Sequence, residues 1–196
     1  MATLKNRATI VRILDLEWEM FQQVKGETPA ACQRLPDNFR KIRGSLFETW
    51  GDFTLEAYRH DLERARRRGA NLLVQKYARM DERIPPLKTA DGLEMIRQIV
   101  VIERGWQVEI ADRYPAVYRH LGRSTAETGD GSDFSVYLAC ELETYGDETL
   151  ASYYRDTLDA ARNQQNLALE SLDILLRKGG WESIDQAECN FAQNDA

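Results

Sequence analysis

The chain has 196 residues, of which 43% are apolar, and a formal net charge of −6 at pH 7. This length and composition fit a single globular domain over residues 1–196, and the acidic surplus argues against nucleic acid as a partner because phosphate binding needs clustered lysine and arginine. The sequence has no apolar run near the roughly 18 residues of a membrane span and no apolar block typical of a secretory signal, so we expect a cytoplasmic protein without a membrane partner.

Apolar residues recur at helical spacing along most of the chain, and the alternating pattern of β-strands is missing. The sequence therefore predicts an all-α protein that folds as a helical bundle. Its helices are expected at about residues 3–25, 37–50, 54–82, 91–113, 133–145 and 148–178, with a short tail helix at about 183–190. Gly69 marks a candidate break in the third helix.

The strongest pattern in the sequence is an internal repeat. Residues 48–72 align without a gap on residues 143–167, and twelve of the 25 aligned residues are identical. Upstream of these segments, residues 10–21 and 96–107 share two isoleucines and a glutamate at matching positions. Because unrelated helices share few identities, the pattern predicts the duplication of a three-helix unit.

The two repeats are expected to pack against each other about a pseudo-two-fold axis, because neither could bury its apolar faces alone. Half one would cover about residues 3–82 and half two about residues 91–178, with a short C-terminal tail at 179–196. The halves would then share one core.

Three glutamates lie at the centres of apolar helical faces. At about 100° per residue, Glu17 shares a face with the apolar residues of the stretch IVRILDLEWEMFQQV, whereas Glu19 points to the opposite side. The same construction places Glu103 on an apolar face as the counterpart of Glu17 in the second repeat. Glu141 shares a face with aromatic residues of its own helix. We expect all three carboxylates to be buried, with Glu17 and Glu103 close together across the pseudo-axis.

A structural polar network is the first interpretation of these glutamates. A lone buried carboxylate costs several kcal/mol unless it is paired, protonated or bound to a metal. Basic and hydroxyl side chains on or beside the buried faces would supply the partners. The candidates are Arg43, Arg59, Arg66, Lys76, Tyr77 and Arg155.

A metal site is the second interpretation. Carboxylates that project inward from facing helices build the metal sites of ferritin-like proteins, which serve here only as a fold-level analogy. The Glu-x-x-His motif of those proteins is missing from this sequence. An all-oxygen site for a divalent metal ion, held by Glu17, Glu103 and Glu141, stays open.

A pocket for a small polar or cationic ligand is the third interpretation, because aromatic and carboxylate side chains share the same helical faces. Its expected lining is Glu17, Glu103, Glu141, Tyr145, Tyr137, Trp106, Lys76 and Tyr77. The sequence contains no recognised catalytic motif, so whether the protein is an enzyme stays open. An interaction protein, with a homodimer as one form, is the remaining alternative.

Three stretches of the chain resemble an uncharacterised bacterial family of small helical proteins, a domain of unknown function. They are LEWEMFQQV at 16–24, NLLVQKYARMD at 71–81 and ELETYGDETL at 141–150. The resemblance covers most of the chain, implies a helical fold and implies no activity. It adds interest to Glu17, Lys76, Tyr77, Glu141 and Tyr145, which lie in these stretches.

Overall fold

The computed structural model describes residues 4–24, 34–126 and 133–194. Within these residues the chain forms ten helices and no strand, which confirms the all-α class. The helices are α1 (Leu4–Phe21), α2 (Pro36–Phe47), α3 (Asp52–Arg67), α4 (Leu72–Met80), α5 (Ala90–Arg113), α6 (Pro115–Leu121), α7 (Phe134–Glu143), α8 (Asp147–Arg162), α9 (Leu167–Lys178) and α10 (Ile184–Asn194). None of the helices in this part of the chain combines the length and the apolarity that a membrane span requires. The outer ends expected for the first helix, residues 3 and 25, lie outside the described residues.

Two of the expected long helices are each divided by a residue in the left-handed region. Gly69 (φ +67°) separates α3 from α4, which confirms the expected break. Gln164 (φ 57°) separates α8 from α9 in the same way, so the prediction of one helix over 148–178 was wrong. A left-handed residue after a helix lets the next N–H groups bond to the last free carbonyls, which ends the helix.

A short helix, α6, was also missed. It begins at Pro115, where we expected a loop. Proline ends the helix before it but is favoured in the first turn of the next one, because its φ is already helical and it has no N–H to satisfy.

The helix contacts follow the same scheme in the two parts of the chain. Helix α1 packs against α2, α3 and α4, and helix α5 packs against α7, α8 and α9. Across the middle of the molecule α3 packs against α8, while α2 contacts α9 and α4 contacts α7. Each contact made by α1 to α4 thus has a counterpart among α5 and α7 to α9.

Two aspartates, the buried Asp61 and the partly buried Asp156, join α3 to α8. The Thr54 hydroxyl donates a hydrogen bond to Asp156 at 2.6 Å, and the Thr149 hydroxyl donates one to Asp61 at 2.6 Å. Thr54 and Thr149 occupy matching positions in the aligned segments, and so do Asp61 and Asp156. The contact between the two helices is therefore reciprocal.

The glycines before α3 and α8 allow this close approach. The N–H of Gly51 donates to Asp156 at 3.3 Å, and the N–H of Gly146 donates to Asp61 at 2.7 Å. A Cβ atom at Gly146 would overlap the Asp61 carboxylate. Glycine is therefore required where the aspartate of one helix reaches the start of the other.

The main core lies between these paired helices and holds the polar residues described below. Its most fully buried apolar members include Ile13, Leu16, Phe47, Leu62 and Ile99. A second, smaller core joins α6, α9 and α10 through Val117, Leu176, Ile184 and Ala187.

Candidate functional site

The three glutamates singled out in the sequence are all buried. Relative exposures are 1% for Glu17, 8% for Glu103 and 7% for Glu141, whereas Glu19 is exposed. The helical-face argument for the pair Glu17 and Glu19 is therefore confirmed.

Glu17 of α1 is paired with an arginine from α2. Nε of Arg43 lies 2.9 Å from Oε2 of Glu17, and Nη2 lies 2.6 Å from Oε1, so the guanidinium donates two parallel bonds. The hydroxyl of Tyr58, on α3, donates a third bond to Oε1 at 2.8 Å. Such a bidentate pair is among the strongest polar contacts in proteins.

The same arginine also reaches Glu141 of α7. Nη2 of Arg43 lies 2.9 Å from Oε1 of Glu141, and Nζ of Lys76, on α4, lies 2.5 Å from Oε2. The Tyr145 hydroxyl donates to Oε1 at 3.2 Å. Two carboxylates and two cations from four helices thus form one charge-balanced group, Glu17, Arg43, Glu141 and Lys76, which we call the central quartet.

The pKa shifts in the central quartet favour the charged forms. Burial alone would raise the pKa of Glu141, but the charges of Arg43 and Lys76 outweigh it and hold this pKa well below the usual range. Burial likewise opposes the charge on Arg43, but Glu141 and Glu17 together hold the Arg43 pKa well above its ordinary value. Both groups are therefore ionised at neutral pH.

The two tyrosines that touch the central quartet stay protonated. Burial, and after it the charge of Glu17, raises the pKa of Tyr58 well above the usual value. Burial and the charge of Glu141 do the same for Tyr145. Each hydroxyl therefore acts as a hydrogen-bond donor to its glutamate.

Glu103 of α5 has a different environment. Its Oε1 accepts a hydrogen bond from the Tyr153 hydroxyl at 2.6 Å, and within the described residues no basic side chain pairs with it. Burial raises the pKa of Glu103 to about 7. The charge of Glu141 also raises this pKa, whereas the hydrogen bond from Tyr153 lowers it.

Glu17 and Glu103 therefore have separate partners. No hydrogen bond or ion pair joins them in the described part of the chain; Glu17 is linked instead to Glu141, through Arg43. Their tyrosine donors, Tyr58 and Tyr153, occupy matching positions in the aligned segments. The counterpart relation of Glu17 and Glu103 and their expected closeness stay predictions.

A metal centre finds little support in this geometry. Among the described residues, no three His, Cys, Asp or Glu side chains come close enough together to hold a metal ion. The Arg43 guanidinium pairs with both Glu17 and Glu141, and together with Lys76 it balances their charge. The assignment of Glu17, Glu103 and Glu141 to a divalent metal ion stays a prediction.

A cavity of about 480 Å³, the main cavity, opens beside the central quartet. All four quartet residues line it, and most of the remaining lining is apolar or aromatic. These residues include Phe21, Phe39, Ile42, Leu72, Leu73, Tyr77, Met80 and Tyr137. The Lys76 ammonium lies 3.3 Å from the centre of the Tyr137 ring, so it contacts both an aromatic face and the carboxylate of Glu141.

A second cavity of about 200 Å³, the inner chamber, lies on the Glu103 side. Glu103 and Trp106 of α5 line it together with Trp50, Tyr145 and Tyr153. It shares three wall residues with the main cavity, namely Arg43, Tyr137 and Glu141.

Each of the eight residues expected to line a pocket lines one of these cavities. The main cavity includes Glu17, Lys76, Tyr77, Tyr137 and Glu141. The inner chamber includes Glu103, Trp106, Tyr137, Glu141 and Tyr145. Their role in binding a ligand stays a prediction.

Sequence reasoning missed part of the lining. Tyr58, Tyr153 and Trp50 were not among the expected pocket residues, although the aligned segments contain a signal for the first two. Tyr58 and Tyr153 are among the twelve identities, and the helical period places both on buried faces. An identical polar group on the buried face of both repeats was the available clue.

The sequence pattern of a family of proteins of unknown function, DUF4125, matches residues 7–189. The chain therefore belongs to this family, which confirms the resemblance found in the sequence. No curated protein and no solved structure matches the chain.

Proposed function

We propose that this member of the family binds a small organic molecule in the main cavity. The observation that carries the proposal is the position of the central quartet, which forms one wall of a cavity whose other walls are mostly apolar and aromatic. Ligand pockets combine such apolar walls with a few convergent polar groups that fix the orientation of the ligand. A quartet with only a structural role needs no cavity beside it.

The hydrogen bonds of the quartet indicate the chemistry of the ligand. Glu17 and Glu141 each have a cation from the chain itself, so a cationic ligand would have to displace Arg43 or Lys76. The bonds within the described residues use Nε and Nη2 of Arg43 and one N–H of Lys76. Nη1 of Arg43 and the other N–H groups of Lys76 are left for an acceptor. The ligand proposed here therefore has an apolar or aromatic body and a carboxylate or carbonyl head.

We also infer that the fold arose by duplication of a helical unit and that the two halves are related by a pseudo-two-fold axis. The reciprocal bonds of Asp61 and Asp156 support this origin, as do the matching tyrosines that donate to Glu17 and Glu103. Two asparagines add to it, since Asn71 and Asn166 cap α4 and α9 and donate to the backbone carbonyls of Met20 and Trp106.

The central quartet departs from this symmetry. When the alignment is extended, Arg43 matches Leu138, Lys76 matches Ser171, and Glu141 matches Leu46. Three of the four charged groups thus have no charged counterpart in the other half. A ligand that binds to this charged wall accounts for a group of four charges that the aligned positions of the other half do not repeat.

The test is ligand-induced stabilisation. Thermal unfolding of the wild type should be screened against small carboxylates and carbonyl compounds at neutral pH, because a ligand that binds only the folded state raises the melting temperature. Lys76→Met should abolish the shift, since it removes an N–H donor from the cavity wall.

Arg79→Met is the matched control. The Arg79–Glu143 ion pair also joins α4 to α7 and is similarly buried, but Arg79 does not line the main cavity. Both variants should be less stable than the wild type, and only Arg79→Met should keep the ligand shift. A shift that survives Lys76→Met, or no shift with any compound, would reject the proposal in favour of a structural network.

A further inference from the structure

We propose that the inner chamber is a second binding site, which takes the ammonium group of a small amine. The chamber measures about 200 Å³, and its lining includes Glu103, Trp106 and Tyr153. Gln107 and Ser171, which are partly buried, also line it. The chamber shares Arg43 and Glu141 with the wall of the main cavity, but Glu103 lines the chamber and not the main cavity. The test of this site therefore does not depend on a ligand in the main cavity.

Comparison of the two repeats shows which group Glu103 lacks. Glu17 has a tyrosine donor and the Arg43 guanidinium, whereas Glu103 has the matching tyrosine donor, Tyr153, and no cation from the described part of the chain. The position that matches Arg43 is Leu138, which lines the inner chamber. An ionised carboxylate buried without a cation is strongly disfavoured. A ligand ammonium in the chamber would supply the charge that Leu138 does not.

The aromatic residues of the chamber also suit an amine. The rings of Trp50, Trp106 and Tyr153 line it, and such rings attract a cation through their faces. Arg43 lines the chamber too, but its charge is balanced by the two glutamates with which it pairs.

Trp50 narrows the class of amine further. Its side chain is buried, and its indole N–H has no acceptor among the described residues. Buried N–H groups nearly always have a partner, so an acceptor atom of a ligand is expected there. A hydroxyl or ether oxygen next to the ammonium group would supply an acceptor for Trp50, while the ammonium group pairs with Glu103. The structure thus assigns the chamber to amines of the amino-alcohol class.

The experiment is calorimetric titration at pH 8 with ethanolamine, ethylamine and the neutral ethylene glycol. The wild type should bind both amines, ethanolamine more tightly, and should not bind the glycol. Glu103→Gln keeps the shape of the side chain and removes its charge, and should weaken amine binding by at least on the order of thirty-fold. Glu94→Gln, which changes an exposed glutamate on the same helix, should bind as the wild type does.

Two further variants keep Glu103 intact. Leu138→Arg places a guanidinium at the position that Arg43 occupies in the other half, and should abolish amine binding. Trp50→Phe keeps an aromatic ring without the N–H, and should remove the preference for ethanolamine over ethylamine. The inference is overturned if the wild type binds neither amine, if the glycol binds equally well, or if Glu103→Gln or Leu138→Arg binds amines as the wild type does.

Discussion

At the scale of single residues, the central quartet depends on Arg43, whose guanidinium contacts both Glu17 and Glu141. The donors of this guanidinium bridge the carboxylates of Glu17 and Glu141, which come from two different helices. A lysine at this position could not bind both carboxylates at once in this geometry. Helical periodicity predicted that Glu17 and Glu141 would be buried. It did not predict which cation would pair with which glutamate, because those contacts join different helices and depend on how the helices pack.

Replacing Arg43 with methionine should lower the free energy of unfolding by about 3 to 5 kcal/mol, because Glu17 loses the cation that pairs with it and stays buried. Arg40→Met is the control on the same helix. The Arg40–Asp15 pair is half exposed, and its loss should cost less than about 1 kcal/mol. Urea unfolding of both variants measures the difference. Equal losses would show that the central quartet is not desolvated.

The pH dependence of stability should reveal Glu103. Its folded pKa of about 7 lies above the ordinary value of 4.5, so the native state binds more protons than the unfolded state between these values. The stabilising contribution is complete below about pH 4.5 and is lost as pH rises through 7. The nearby ionisable groups, Tyr153 on α8 and Glu141 on α7, keep one charge state across this range.

Glu103→Gln cannot ionise, so its stability relative to the wild type should rise with pH, by up to about 3 kcal/mol between pH 5 and 8. Urea midpoints at these two pH values measure this change. Glu94→Gln should show no such rise, because Glu94 is exposed. A constant difference for Glu103→Gln would mean that the carboxylate is solvated or already paired with a cation.

At the scale of helices, the break at Gly69 was predictable, whereas the break at Gln164 and the short helix that begins at Pro115 were not. Gly69 has a sequence signature for the break before α4, because glycine adopts positive φ without steric cost. The matching break before α9 is at Gln164, a residue with no such preference. Helical periodicity continues across both breaks and reveals neither. Only the sequence repeat, which aligns Gly69 with Gln164, could have indicated that the second helix is also broken there.

Substitutions at these two breaks should act in opposite directions. Gly69→Ala should destabilise by about 1 kcal/mol, although a Cβ there would meet no atom within 4 Å, because alanine disfavours positive φ. Gln164→Gly should stabilise by up to about 1 kcal/mol for the same reason. Thermal unfolding measures both effects.

The control for these substitutions is Gly105→Ala, which lies inside α5 with open space around its Cβ position. At helical φ this change should stabilise by roughly 0.5 to 1 kcal/mol. If Gly69→Ala also stabilised the protein, the left-handed break between α3 and α4 would be contradicted.

At the scale of the whole molecule, the sequence predicted the fold class and the buried faces, because both follow from a period that is visible in one chain. The reciprocal contacts of Asp61 and Asp156 were not predictable in detail, since each aspartate reaches the other half. The sequence analysis assigned the residues of two separate cavities to a single pocket. A helical face shows which side chains point inward, but it does not show which neighbouring side chains separate one cavity from another. The positions that align with Arg43, Lys76 and Glu141 carry no charge, and this difference became meaningful only once the three residues were seen in contact.

The central claim is that the charged wall of the main cavity binds a ligand through its unused donors. The most direct measurement is a crystal structure of the protein with the compound that stabilises it most in the thermal screen. We predict an acceptor atom of the compound within about 3.2 Å of Nη1 of Arg43 or Nζ of Lys76, with the ion pairs to Glu17 and Glu141 intact. A compound bound outside the main cavity, or one whose cationic group displaces Arg43 or Lys76 from the glutamates, would contradict the claim.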